Sequence, residues 1–395
     1  MIKDKKVVIL SAKRTPIGKF LGAFASLTAP KLASFAIKSA IEESSIDNLD
    51  LDYAIIGNVL TAGIGQAPAR QALIYSGVSS DISAITVNKV CASGLMSVIL
   101  GSQMIKSGDM KVVLSGGMEN MSRSPHIMND SRTGGKLGNK ILEDSMIRDG
   151  LWCVFNDLSM GVLAEKTSGK FGVTRSDQDN YAVKSHERAM SAINTGMFNS
   201  EIVPVILENN KDEHEFICDE GPREDTTLEI LEKLKSPFSK NGVATAGNSS
   251  QISDGAAAVV LSDNDYAISK GLSPLAVIDD YVIVANDPGE LFEAPAIAVE
   301  KLLTKNNIKI EEIDLFEVNE AFAGQILSNG KYLNWDWSKV NINGGAIALG
   351  HPIGATGTRI LVTLIHALKN NDLTTGVAVL CHGGGGAVAI KVSLL

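Results

Sequence analysis

The chain has 395 residues, 45% hydrophobic and 21% charged, a globular composition with length for two or three domains. Acids outnumber bases 45 to 36, and the net charge of −9 excludes the broad basic footprint of a nucleic-acid binder. No apolar run reaches the roughly 18 residues of a membrane span, and Cys91, Cys153, Cys218 and Cys381 stand too far apart for a metal site or a disulfide framework.

The N-terminus runs from Met1-Ile2-Lys3-Asp4 straight into an apolar strand at 6–10, so no secretory signal is expected. The C-terminus, Val392-Ser393-Leu394-Leu395, carries no peroxisomal address, so a cytoplasmic location is expected. A helix at 29–44 follows, then a strand at 53–57, a strand at 84–87, a helix at 94–106 and a strand at 111–115. The stretch 119–250 breaks this pattern. It is more charged and irregular, with Gly134-Gly135, a helix at 176–195 and an acidic, breaker-rich piece at 211–225. The alternation then resumes, with strands at 276–281, 315–318, 340–343 and 376–380 and helices at 294–306 and 355–370. Strands alternating with helices predict an α/β fold with a mainly parallel sheet.

The two ends read as copies. Residues 46–57 align without a gap on 308–319, pairing Ile46 with Ile308, Leu51 with Ile313, Asp52 with Asp314 and Ile56 with Val318. The same offset carries Cys91 into the stretch His351-Pro352-Ile353-Gly354. The expected organisation is a first half at 1–118 with 251–272, an inserted loop domain at 119–250, and a second half at 273–395. An insertion at the C-terminal end of parallel strands is well placed to cover a site there.

Four segments carry candidate chemistry. Cys91 stands at a strand-to-helix junction, where free N–H groups favour thiolate. His351 lies in a loop with Gly344, Gly345, Gly350, Gly354 and Gly357, held in place by Pro352. Such a histidine serves as base to a thiol, and twofold packing of the halves would bring it to Cys91. Cys381-His382-Gly383-Gly384-Gly385-Gly386 ends a strand in a sharp turn whose free N–H groups suit an oxyanion. A second thiol there suits acid–base work. Asn319, in Glu317-Val318-Asn319-Glu320-Ala321-Phe322, is placed to orient a water or an oxyanion. No dinucleotide fingerprint, P-loop or metal-ligand cluster appears, so no metal is expected.

Together, Asn88-Lys89-Val90-Cys91-Ala92-Ser93-Gly94, Asn319-Glu320-Ala321-Phe322, Gly350-His351-Pro352-Ile353-Gly354-Ala355 and Cys381-His382-Gly383-Gly384-Gly385 resemble the thiolase superfamily, in order and spacing, over essentially the whole chain. The resemblance implies a five-layered α-β-α-β-α core of two similar halves plus a loop domain. It implies coenzyme A thioesters as substrates and no separate cofactor. By motif, Cys91 would be the acylated nucleophile, His351 its base, and Cys381 the group that moves the α-proton. Asn319, through a water, and His351 would form one oxyanion hole; the N–H groups of Cys91 and Gly383 would form the other. Ser250 matches the pantetheine contact and Arg223 a basic residue near the nucleotide end. Met160 and Leu291 match positions that close the pocket to long chains, and Phe322 is expected among the substrate-binding residues.

The stretch 131–151 looks like the tetramer-forming and covering loops of the biosynthetic branch. The expected activity is therefore acetyl-CoA C-acetyltransferase, joining two acetyl-CoA into acetoacetyl-CoA and CoA, in a homotetramer. Two departures bear on this. Ser159-Met160-Gly161 stands where those enzymes usually have His-Met-Gly, and the wording from Asn248 to Gly255 is nearer the degradative branch. A degradative 3-ketoacyl-CoA thiolase is the alternative within the class, and a silent CoA-binding scaffold the alternative outside it. A decarboxylating ketoacyl synthase usually pairs its Cys with two His, and Cys381 argues against one. The position of His382 varies in the family, and no role is assigned to it.

Overall fold

The computed structural model describes residues 5–134, 136–209 and 212–395; the expectations at Met1–Asp4, Gly135 and Lys211 lie outside them. The first half supplies β1 (Val7–Arg14), α1 (Ala29–Ser44), β2 (Tyr53–Gly57), α2 (Pro68–Tyr75), β3 (Ser83–Val87), α3 (Ser93–Ser107), β4 (Val112–Asn120) and, after the insertion, β5 (Ser253–Asp263). Two insertion helices are α4 (Met160–Lys170) and α5 (Arg175–Asn194). The second half supplies β6 (Ala276–Ala285), α6 (Ala294–Asn306), β7 (Leu315–Val318), α7 (Ala323–Leu333), α8 (Thr356–Asn370), β8 (Thr375–Cys381) and β9 (Gly386–Leu394).

The main sheet runs β7-β8-β9-β6-β1-β5-β4-β2-β3. Counted outward from the β1–β6 seam, the two sides mirror each other: β1, β5, β4, β2 on one, β6, β9, β8, β7 on the other. The pairs β2–β4 and β7–β8 are parallel, while β1–β5, β5–β4, β6–β9 and β9–β8 are antiparallel. The sheet is therefore mixed rather than mainly parallel. Among the described residues the seam itself has two residue pairs, Val8 with Val277 and Ile9 with Ala276, so it acts as a joint between two sheets.

The strand expected at 340–343 is a single parallel bridge, Val340 to Phe316. Asn341 turns left-handed there, with φ 47°, and ends the pairing. Its side-chain amide takes over: Oδ1 accepts from the Val318 N–H at 2.7 Å and Nδ2 donates to the Val318 carbonyl at 2.9 Å. β7 thus keeps hydrogen-bond partners on its outer edge, where no further strand of the described residues follows it in the sheet.

Period-2 alternation sorts the strands between layers. On β5, Ala256, Ala258 and Val260 face the cluster under α1 and α2, while Ala257, Val259 and Leu261 face the central cluster. On β9, Ala387 and Ala389 face the α6 side, and Val388, Ile390 and Val392 face the centre. The central cluster also holds Leu95 and Val98 of α3 and Ile360, Leu361 and Leu364 of α8. The layers are α1/α2, sheet, α3/α8, sheet, α6. Between two sheets α3 is apolar on nearly all sides; the span Val90–Ser107 reaches a mean hydropathy of 1.2, but it is a core helix.

The chain leaves the sheet at Asn120 and returns at Ser253. Arg14 pins this insertion down from β1. Its fully buried guanidinium grips Asp219 bidentately, Nη1–Oδ1 2.7 Å and Nη2–Oδ2 3.0 Å, and its Nε reaches Glu201. On the other side α5 docks on the second half, where Tyr181 and Ser185 donate to Glu320 at 2.8 and 2.7 Å.

Candidate active site

Cys91 lies just before α3 in a tight turn. Val90 carries φ 49°, a costly conformation for a β-branched residue. Two backbone bonds hold it, Ala92 N–H to the Lys89 carbonyl at 3.1 Å and Ser93 N–H to the Val90 carbonyl at 3.0 Å. The Ser93 hydroxyl locks the same turn by accepting from the Lys89 N–H at 2.8 Å. The strained turn lifts the thiol to the helix N-terminus, facing a cavity of about 970 Å³.

His351 reaches the same cavity from the second half. Its backbone N–H donates to the Gln251 carbonyl at 3.0 Å. Its Nδ1 lies 2.7 Å from the Thr356 hydroxyl oxygen, and that hydroxyl lies 2.9 Å from the Pro352 carbonyl. The carbonyl takes the hydroxyl proton, so Nδ1 must carry the ring proton and donate. Nε2 keeps its lone pair, with the Asn319 Nδ2 at 3.4 Å. This is the tautomer a base needs. Asn319 is fully buried, and its Oδ1 has no partner among the described residues. A buried amide oxygen in that state is a place for a polar guest.

Cys381 ends β8 with its thiol buried. Gly383 follows and packs on Val90; a Cβ there would lie 3.2 Å from Val90 Cγ1. The backbone N–H groups of Gly383 and of Cys91 itself face the Cys91 sulfur. Burial nevertheless pushes the Cys91 thiol up to about 12. Burial, then the nearby Cys91, pushes Cys381 up as well. Burial, helped by the Arg359 cation, lowers His351 to about 3.

The cavity is also lined by Ser250, Arg223, Met160, Leu291 and Phe322. Asn319 stands behind His351 rather than on the wall. Arg223 is exposed at the rim, its backbone N–H bonded to His186 Nδ1 at 3.1 Å. Phe322 packs edge-on against Phe238 and Phe292, which with Leu291 and Met160 make one wall apolar. Ser159 lines the cavity and caps α4, its hydroxyl accepting from the Val162 N–H at 3.4 Å.

Glu119 escaped the sequence reading. It is fully buried, and its carboxylate accepts from Asn58 Nδ2 (2.7 Å), Val59 N–H (3.1 Å), Leu60 N–H (3.2 Å) and Gly354 N–H (3.0 Å). It therefore ties the His351 loop to the first half. Burial pushes its carboxyl up to about 7 against the backbone donors that pull it down. The available signal was a lone acid in an otherwise uncharged strand, Val112 to Asn120.

Residues 7–265 match the model of the thiolase N-terminal domain, and residues 272–394 that of the thiolase C-terminal domain. The chain belongs to the thiolase family. An acetyl-CoA acetyltransferase of Pseudomonas aeruginosa is 47% identical over 388 residues, covering 98% of this chain and 99% of the relative. A probable acetyl-CoA acyltransferase of Staphylococcus aureus is 46% identical over 389 residues, covering 98% and 99%. The crystal structure of the Bacillus anthracis acetyl-CoA acetyltransferase superimposes with a TM-score of 0.98 at 38% identity, covering 100% of both chains.

In this thiolase burial raises the Cys91 thiol and lowers the His351 imidazole, and both directions favour a neutral resting pair over thiolate–imidazolium. The rate of Cys91 alkylation by iodoacetamide is thus expected to climb with pH past about 8.5, the ordinary thiol value. A plateau already reached near about pH 6 would instead reveal a preformed ion pair.

Proposed function

We infer that this thiolase is an acetyl-CoA acetyltransferase. It catalyses the reversible condensation of two acetyl-CoA to acetoacetyl-CoA and CoA. The observation that carries this is one cavity joining two thiols, Cys91 and Cys381, to a His351 imidazole in the base tautomer. The acetyl-CoA acetyltransferases at 46–47% identity over nearly the full chain support the same reading.

In the first half-reaction the Cys91 sulfur attacks the acetyl carbonyl while His351 Nε2 takes the thiol proton. The bond to CoA sulfur breaks, and CoA leaves as the thiol with that proton. In the second, His351 Nε2 takes the Cys381 proton, and the resulting Cys381 thiolate removes an α-proton from another acetyl-CoA. The enolate carbon attacks the acetyl-Cys91 carbonyl, and Cys91 leaves as thiolate and takes the proton back from His351 Nε2. Asn319 with a water, and His351, hold the thioester oxygen of the enolate. The N–H groups of Cys91 and Gly383 hold the oxyanion at the acetyl carbon. The second hole is supported by the two N–H groups that already face the Cys91 sulfur.

Ser250 is assigned to the pantetheine arm and the exposed Arg223 to the nucleotide end. Met160, Leu291 and Phe322 bound the acyl end. Thiols and imidazole suffice for this chemistry, so no cofactor is invoked. A homotetramer fits Leu137, Ile141 and Leu142, which are 98%, 78% and 62% exposed on the insertion, and the open edge strand β3 with Ile85 46% exposed. A cytoplasmic location agrees with four free cysteines.

One observation favours a second reading, cleavage of longer 3-ketoacyl-CoA. Ser159 is small, and its hydroxyl is turned onto the α4 amide rather than into the cavity. The test is CoA-dependent cleavage of acetoacetyl-CoA beside 3-ketodecanoyl-CoA. The acetyltransferase reading expects the short substrate to be preferred in kcat/KM by about 100-fold, or ~3 kcal/mol of discrimination. Equal or faster cleavage of the long one would move the chain to the degradative branch.

A further inference from the structure

The loop that follows Cys381 is His382-Gly383-Gly384-Gly385-Gly386, so His382 bears its only side chain. Four successive glycines have the largest conformational freedom a chain can have. Gly384 and Gly385 use it, at φ 88° and 91°. Yet Gly383 has to offer its N–H in one direction, toward the Cys91 sulfur. Something must hold this peptide still.

The His382 ring does so at close range. Its Nδ1 lies 2.8 Å from the Gly383 carbonyl oxygen. A carbonyl only accepts, so Nδ1 carries the proton. The His382 backbone N–H donates to the Gly386 carbonyl at 3.0 Å and closes the loop from the other side. The residue as a whole is 8% exposed. Among the described residues its Nε2 reaches no partner, thiol or otherwise, and it rests against Gly386. A Cβ on Gly386 would lie 2.7 Å from that nitrogen, so the ring occupies the space that a side chain at 386 would fill. A base for the reaction would need a lone pair directed at substrate or thiol; this one is packed against backbone.

We propose that His382 is a positioning residue: its Nδ1–H clamps the Gly383 carbonyl and thereby aims the Gly383 N–H at the sulfur and at the oxyanion formed there. The effect on turnover rests on the acetyltransferase reading above. The effect on Cys91 reactivity does not, which keeps the two separable.

The experiment compares the parent with His382→Asn, His382→Gln and His382→Leu. Asn places an N–H donor at the δ position, as Nδ1 does; Gln places it one bond further; Leu has none. Two readouts are taken: Cys91 alkylation by iodoacetamide at fixed pH, resolved peptide by peptide by mass spectrometry, and acetoacetyl-CoA thiolysis. In the Leu and Gln variants alkylation is expected to slow roughly tenfold and kcat to fall roughly 10- to 100-fold, with KM within about twofold. His382→Asn is expected to stay within about threefold of the parent on both. Parent-like alkylation and kcat in His382→Leu would overturn the proposal. So would an Asn variant that falls as far as Leu, since that makes the ring a filler rather than a donor. Thermal midpoints of all four proteins guard the comparison: loss of midpoint and activity together, unrestored by Asn, also counts against it. If the parent fails to cleave acetoacetyl-CoA, the function reading falls, and the alkylation order still decides the role of His382.

Discussion

Cys91→Ala is expected to abolish acetoacetyl-CoA cleavage, lowering kcat by about 10⁴-fold or more, because the covalent route disappears with the nucleophile. Cys381→Ala is expected to behave differently. It leaves Cys91, His351 and the Gly383 N–H in place, so exchange of labelled CoA into acetyl-CoA, which needs only the first half-reaction, should persist within about tenfold. Condensation and thiolysis need the α-proton moved and should fall by about 10²- to 10⁴-fold. The contrast separates the two thiols, which the structure places in one cavity and on opposite halves. Equal loss of exchange and cleavage in Cys381→Ala would end the division of labour.

Glu119→Ala should give the largest loss of stability among residues around the site. It strands four buried donors, Asn58 Nδ2 and the N–H groups of Val59, Leu60 and Gly354. Orphaned buried donors cost about 1–3 kcal/mol each and share relaxation, so about 3–5 kcal/mol in total is expected. The bond to Gly354 spans 235 residues and joins the halves three residues from His351. Activity should therefore fall more than the folded fraction accounts for. Denaturant unfolding together with kcat of the folded protein measures both. Glu119→Gln, which keeps one acceptor oxygen, is expected to lie between the parent and Ala. An Ala variant as stable as the parent would show that the carboxylate is not the clamp.

Where the signals are local, sequence and structure coincide. α1 spans 29–44 as read, because Thr28 caps it, Pro30 fits its first turn, and Ala33, Ala36, Ile37, Ala40 and Ile41 form one buried stripe. β2, α6 and β7 also match residue for residue. Strand ends were less legible. β4 runs to Asn120, five residues beyond the expected end at 115, because β5 pairs with it through Gly116, Gly117, Met118 and Glu119. Nothing near those glycines announces a partner more than a hundred residues away.

By itself the sequence determined the alternation of strands and helices, the repeat of its two ends, the family, and which thiols, imidazole and amide were candidates. Each of these depends on residue type and short spacing, which any copy of the chain displays. The tertiary structure decided the mixed sheet and its thin seam, and the replacement of an edge strand by the Asn341 amide. It also decided the Nδ1–H tautomer of His351, the Glu119 clamp and the seat of the His382 ring. These depend on where a donor meets an acceptor after two halves and an insertion have packed. Burial of the two-faced strands around α3 and α8 sets that packing, and short-range pattern carries no record of it.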